Sequence, residues 1–92
     1  MEEITIEQLG DLRKSKTTSE MRAYISEELL NYRELRAKLR TTIDMCHLLE
    51  TTAMQREVRG IFNKLMLTAI NNVKTLEFYR EVLLRKAEVE EA

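Results

Sequence analysis

The sequence of 92 residues contains no proline and no tryptophan, and it has two glycines, one cysteine and few aromatic side chains. Without proline, and with so little glycine, it lacks the residues that usually close β-turns and hairpins. No segment alternates apolar and polar residues as a half-buried strand does. These absences argue against a β-sheet, and the sequence predicts an all-α protein.

Other missing features limit the cellular compartment and the classes of partner that can be expected. The formal net charge is only −1, so the total charge gives no reason to expect attraction to nucleic acid or to a membrane surface. The single Cys46 cannot form an internal disulfide, and the first residues lack the basic and apolar regions of a signal peptide. No apolar run reaches the roughly 20 residues that a membrane span requires. We therefore expect an intracellular, cytoplasmic protein with no membrane partner.

The spacing of apolar residues predicts three helices in a single domain, residues 1–92. At about 100° per residue, the apolar stripe of residues 21–46 and that of residues 54–83 lie roughly 100° apart, so one straight helix cannot serve both. The break falls near Thr51 and Thr52, which places the helices at about 5–13, 18–50 and 53–88. Three capping-box patterns mark the starts: Thr5 with Gln8, Thr17 with Glu20, and Thr52 with Gln55.

A short connection makes sequential helices neighbours, so the second and third helices should form a long antiparallel hairpin behind the short first helix. In that hairpin Leu39 and Ile43 should lie near Val58 and Phe62. The expected fold class is thus an all-α helical hairpin with a short N-terminal helix.

The third helix is apolar over a wider arc than one neighbour can cover. In NKLMLTAINNV, residues 63–73, Met66 and Ile70 continue past the stripe that would pack on the second helix. An exposed apolar patch of this kind marks an interaction site, and burial in an oligomer would help so small a core. We expect assembly into an oligomeric helical bundle through an interface at Met66, Ile70, Val73 and Leu84. The alternative is that the N-terminal helix folds back over the excess through Ile4, Ile6, Leu9 and Leu12.

A strip of arginines along one side of the second helix is the candidate partner-binding surface: Arg22, Arg33, Arg36 and Arg40. On the helical wheel it points away from the apolar face. No aromatic residues interleave to stack on bases, so the strip favours an acidic protein surface and direct nucleic-acid binding is not expected. Because glutamates surround it, a solvated, charge-paired face is the simpler alternative.

Few residues suggest chemistry. Asp44, His47 and Glu50 resemble in spacing the carboxylate-x-x-His ligands of di-iron bundles, but Asp44 projects about 140° from the core face, so no metal is predicted. Cys46 lies on the core stripe and is expected to be a small buried hydrophobe. There is no glycine-rich phosphate loop and no Ser-His-Asp set. We expect a non-enzymatic protein without cofactors, and a helical-bundle enzyme is the least favoured alternative.

Three segments together resemble the helical domain of archaeal GINS subunits. LLETTAMQREVRGIFNKLMLTAINNV is similar to the long helix of that domain, LEFYREVLLRK to its following helix, and MRAYISEELLNYRELRAKL to an earlier one. The resemblance covers about two thirds of the chain. It departs from the family at Asn63 and Thr68, where basic residues are favoured, and in lacking the small β-domain, so these residues would be the helical half alone.

The resemblance implies a non-enzymatic scaffold that assembles as a tetramer through its helical domains. It implies that the partners are replisome proteins: the replicative helicase, a RecJ-like protein and polymerase. A self-assembling helical adaptor or regulator, such as a small phage or plasmid protein, is the alternative from the residue pattern alone.

Overall fold

A computed structural model describes residues 1–91, with side chains described through Lys86. Its helices are α1 (Ile6–Arg13), α2 (Thr18–Asp44) and α3 (Thr52–Glu91), and a 3₁₀ turn (Met45–Leu48) follows α2 directly. No strand occurs in residues 1–91, which confirms the all-α class. Within the same residues, no helix combines the length and the apolarity that crossing a bilayer requires.

The first two helices begin at the capping boxes that the sequence predicts. The Thr17 hydroxyl accepts a hydrogen bond from the Glu20 N–H at 3.1 Å, and the Thr17 N–H donates to the Glu20 carboxylate at 3.2 Å. Thr5 and Gln8 make the same reciprocal pair, both at 3.1 Å. Each box satisfies N–H groups that the first turn of a helix leaves without a partner.

The connection between α2 and α3 differs from the prediction. Helix α2 ends at Asp44 rather than near residue 50, because a 3₁₀ turn tightens the chain before the chain reverses. The cap of α3 is Thr51, whose hydroxyl accepts from the Met54 N–H at 3.1 Å. The Gln55 side chain does not complete a box with Thr52; its Nε2 donates to the Leu49 carbonyl at 2.9 Å instead. The side chain of Gln55 thus donates a hydrogen bond to a carbonyl in the connection between α2 and α3.

Packing joins α2 and α3 as an antiparallel hairpin. Asn72, in the middle of α3, donates to the hydroxyl of Tyr32 in the middle of α2. Val58, early in α3, lines one hollow with Cys46, which follows the end of α2. The two helices therefore run in opposite directions. The apolar stripes face one another across the pair. The side chains buried between them include Met21, Ile25, Leu29 and Leu39 from α2 and Ala69, Val73, Leu76 and Leu83 from α3.

The N-terminal segment packs against one side of this hairpin. Leu9 is buried in the core cluster, and Ile4 and Leu12 pack against it, whereas Ile6 remains exposed. The side-chain amide of the buried Asn72 holds the segment: it accepts from the Ile4 N–H at 2.7 Å and donates to the Glu2 carbonyl at 3.0 Å. We call residues 1–13 the N-terminal arm.

The arm lies on the opposite side of α3 from the excess apolar stripe. Asn72 and Ile70 are two residues apart, so they point about 160° apart around the helix axis. The arm therefore covers the Asn72 side, and it does not cover Met66 and Ile70 as the alternative prediction required.

The molecule is long for its size. Its principal extents are 61 × 19 × 17 Å and its radius of gyration is 17.3 Å, whereas a compact domain of this length has a radius near 12 Å. Its accessible surface is 6773 Å², compared with about 5,600 Å² for a compact monomer of this size. The hairpin thus exposes more surface than a compact monomer of the same mass.

Candidate functional site

A groove between α2 and α3 brings together residues from both predicted surfaces. It is lined by Arg36, Arg40, Ile43 and Asp44 of α2 and by Asn63, Met66 and Ile70 of α3, around a hollow of about 360 Å³. We call it the arginine groove. Because a water molecule occupies about 30 Å³, the hollow holds on the order of ten waters that an apolar side chain could displace.

The helical repeat explains why these residues meet. Arg36, Arg40 and Ile43 stand at i, i+4 and i+7, which is one row along the surface of α2. Asn63, Met66 and Ile70 stand at i, i+3 and i+7 and form a matching row on α3. The antiparallel hairpin sets the two rows side by side, and the groove lies between them.

The groove has an apolar floor and a polar rim. Ile43, Met66 and Ile70 are half-buried, so each still presents part of its side chain to solvent. The guanidinium of Arg40, the carboxylate of Asp44 and the amide of Asn63 belong to exposed residues, and Arg36 is half-buried. This is the usual anatomy of a surface at which an apolar contact is bordered by charges.

Within the residues whose side chains the structure describes, 1–86, the charges of the rim have no ionic partner. Among the residues that the structure describes, the single ion pair is Lys14 with Asp11, at 3.3 Å on the exposed surface of α1. Arg40 and Asp44 are four residues apart, yet their charged groups do not come within the 4.0 Å of an ion pair. Arg36 and Arg40 are therefore free to pair with carboxylates from outside.

The other predicted surface residues lie away from the groove. Arg33 is exposed and lies about one turn from Arg36. Arg22 lies about 21 Å from Arg36 along the axis of α2 and is half-buried. Its buried Nε has no hydrogen-bond partner among the described residues. Leu84 is 39% exposed but also about 21 Å from Ile70.

Two of the predicted placements need correction. Val73, expected at the oligomer interface, is buried in the core of the chain itself with 6% exposed, because its row on α3 faces α2. At Arg36 and Arg40, the arginine strip does not point away from the apolar face. Arg36 and Arg40 flank that face, since the same hollow is lined by both arginines and by apolar residues.

A second hollow lies at the turn of the hairpin and is lined by Thr42, Met45, Cys46, Leu49 and Val58. Cys46 is buried there, with its Sγ 3.5 Å from the Thr42 carbonyl. Met45 and Leu48 nearby are 52% and 67% exposed. This hollow carries no charged side chain, so its chemistry gives less indication of what it binds.

The histidine that could suggest a metal has a local structural role. His47 is exposed, and its Nδ1 lies 2.7 Å from the Asp44 carbonyl, a distance at which the ring nitrogen donates to the last carbonyl of α2. Throughout the described residues, no group of three or more His, Cys, Asp or Glu side chains is arranged to hold a metal ion. His47 thus acts as a C-terminal cap.

Sequence reasoning missed that Ile43, Asp44 and Asn63 belong to the same site as the arginines and the excess apolar residues. The row of Arg36, Arg40 and Ile43 was visible in the sequence, but the row opposite it depends on how the helices are aligned. No protein-family model, curated protein or solved structure gives a significant match to the chain. The geometry of the arginine groove therefore carries the functional argument.

Proposed function

We propose that the chain is a non-enzymatic helical interaction subunit, a scaffold that holds other protein surfaces against its hairpin. The observation that supports this is the arginine groove, where the half-exposed Met66 and Ile70 lie beside two arginines that have no ionic partner among the described residues. Apolar surface left half-exposed on a small elongated protein favours association. The rim charges add orientation and specificity.

In its specific form the proposal is a GINS-like component of a replicative helicase complex. The support for this form is the resemblance of the three segments alone; two of them, which resemble successive helices of the family, lie here largely in the single helix α3. Its partners would then be the replicative helicase and other replisome proteins. The chain itself would carry out no turnover.

A self-assembling helical adaptor is the second candidate. Met66, Ile70 and Leu84 favour it, because they remain partly exposed along one side of α3 over about 27 Å. In this version the groove side of one copy packs on another copy. The two candidates differ in whether the purified chain associates with itself.

Solution mass is the first test of the proposal. Light scattering at tens of micromolar should give an oligomer for the self-assembling form, and Ile70→Glu should weaken it at least tenfold. The reason is that burying an isoleucine contributes about 1.5–3 kcal/mol, which the substitution removes. A carboxylate at position 70 would also lie in the hollow beside Arg36 and Arg40 and compete with a partner for them. The matched control is Leu67→Glu, since Leu67 is 61% exposed and projects about 60° further from the core face.

Capture by partners is the second test. If the wild-type chain is monomeric, immobilised chain should retain a purified replicative helicase, and Ile70→Glu should abolish retention while circular dichroism keeps its helical signal. A chain that is monomeric and retains no replisome protein would contradict the GINS-like form. If the wild-type chain is oligomeric, an oligomeric mass that Ile70→Glu leaves unchanged would contradict the use of the groove; if it is monomeric, unchanged retention of the helicase would do so.

A further inference from the structure

Resting on the proposed function, we propose that the occupant of the arginine groove is an acidic amphipathic helix of another protein. Its apolar stripe would lie on Ile43, Met66 and Ile70. Two carboxylates about one helical turn apart would meet Arg36 and Arg40, and a basic residue one turn further would meet Asp44. The groove thus selects a partner helix by charge order as well as by apolarity.

The charge order follows from the spacing along α2. Arg36, Arg40 and Asp44 stand four residues apart, so their side chains succeed one another along one rim about 6 Å apart. Since none of the three is in an ion pair within the described chain, an incoming helix meets two free positive charges and then one negative charge. Arginine matches carboxylates especially well, because its planar donors can bind both oxygens.

A helix suits this shape better than other elements. The groove is bounded by two antiparallel helices, and its floor is formed by Ile43 of α2 and by Met66 and Ile70, which stand at i and i+4 of α3. An amphipathic helix laid into such a groove repeats the packing of α2 on α3, with anchors at the same spacing. An added strand would need a free sheet edge, and residues 1–91 contain none.

A second copy presented groove to groove fits less well. In a two-fold dimer the same patch lies on both sides of the interface. Two hollows of about 360 Å³ would then face one another and enclose empty space, whereas a helix lying on the groove can fill one hollow with a few of its side chains. Nucleic acid fits less well again, because phosphates would meet an apolar floor and the carboxylate of Asp44.

The test uses synthetic helical peptides of about 20 residues, a length at which a helix can persist in water. Both peptides carry a leucine stripe; on one flank the first has Glu, Glu and Lys four residues apart, and the second has Lys, Lys and Glu. Calorimetric titration of the full chain should show the first peptide binding about tenfold more tightly. That preference should decrease as salt is raised, since exposed charges are screened.

Charge reversal of the groove should reverse the preference. In a variant with Arg36→Glu and Arg40→Glu, the second peptide should bind more tightly than the first. The matched control is Lys64→Glu with Lys74→Glu, which makes the same change of charge at two exposed positions of α3 outside the groove. The control should keep the wild-type preference, and circular dichroism should show that all three proteins remain helical.

Several results would overturn the inference. Equal binding of the two peptides, a preference that survives in the groove variant, or a DNA duplex that displaces the first peptide would each do so, as would a wild-type dimer whose formation excludes the peptide. A failure of the peptides leaves the proposed function standing if the chain still associates through Ile70. If the chain is monomeric and also captures no partner, the proposed function fails with it.

Discussion

Removing the side-chain amide of Asn72 should release the N-terminal arm. Asn72 is fully buried and makes three hydrogen bonds, with the Ile4 N–H, the Glu2 carbonyl and the Tyr32 hydroxyl. A neutral hydrogen bond contributes about 1 kcal/mol, so Asn72→Ala should lower the free energy of unfolding by about 3 kcal/mol. For a domain of this size that corresponds to a decrease in Tm of about 12–24 °C.

The neighbouring Asn71 provides the control for this change. Asn71 is exposed and its side chain makes no hydrogen bond within the described structure, so Asn71→Ala should change stability by less than about 0.5 kcal/mol. Both substitutions replace asparagine by alanine inside α3, so they share any gain in helix propensity. Their difference in urea denaturation therefore reports the buried amide alone.

Hydrogen exchange locates the effect in the molecule. In Asn72→Ala the amide of Ile4 should exchange rapidly, while amides in the middle of α2 and α3 stay protected, because the arm depends on this contact more than the hairpin does. Tyr32→Phe removes one of the three bonds and should cost about 1 kcal/mol. If Asn72→Ala is no less stable than Asn71→Ala, or if Ile4 stays protected, the amide does not hold the arm.

Two further predictions concern α3 and the cap of α2. Gly60→Ala should stabilise the chain by about 0.8–1.0 kcal/mol in urea denaturation, since Gly60 lies inside a helix and an added Cβ would meet nothing within 4 Å; a loss of stability would contradict this packing. The hydrogen bond that the Thr17 N–H donates to the Glu20 carboxylate is the largest cause of a lowered pKa at Glu20. Because the lowered pKa belongs to the folded state, the Tm advantage of wild type over Glu20→Gln should be present in full at neutral pH, decrease as pH falls below the ordinary glutamate pKa of about 4.3, and be lost as pH falls through the lowered pKa of the folded state; the matched variant is Glu27→Gln, at an exposed position of α2 away from the cap.

The positions of the helices could be predicted from the sequence because their signals are local. Apolar residues repeat with the helical period, and Thr5 and Thr17 each find their capping partner three residues later. The end of α2 could not be predicted in this way, since the apolar pattern continues through Leu48 and Leu49. What ends the helix at Asp44 is the need to reverse the chain within the few residues before Thr52, a tertiary requirement.

The arginine groove also combines features that are local in the sequence with one that depends on tertiary structure. A helical wheel places Arg36 and Ile70 each on its own helix, but it does not say which residue of α2 lies beside which residue of α3. That alignment is set by the connection, and the exact length of the connection was the part predicted least well. As a result, one groove was predicted as two separate surfaces.

The buried asparagine was missed for a related reason. From the sequence, Asn72 is a polar residue next to apolar ones in a helix and gives no sign of its three partners. Those partners lie 40 to 70 residues away and converge only in the folded chain.

The polar groups on the two sides of the hairpin differ in whether they are buried and hydrogen-bonded. This difference distinguishes groups that affect folding from groups that are available for binding. On the arm side the buried amide of Asn72 must be satisfied, because an unpaired buried amide would cost about 1–3 kcal/mol, and the chain supplies its partners. On the groove side Arg40 is exposed, so it can remain hydrated without an ionic partner at little cost. The amide of Asn72, which must be paired for the chain to fold, is paired, whereas the guanidinium of Arg40, which has no ionic partner among the described residues, is exposed to water. The groove is therefore the side on which changes should alter association with little effect on folding.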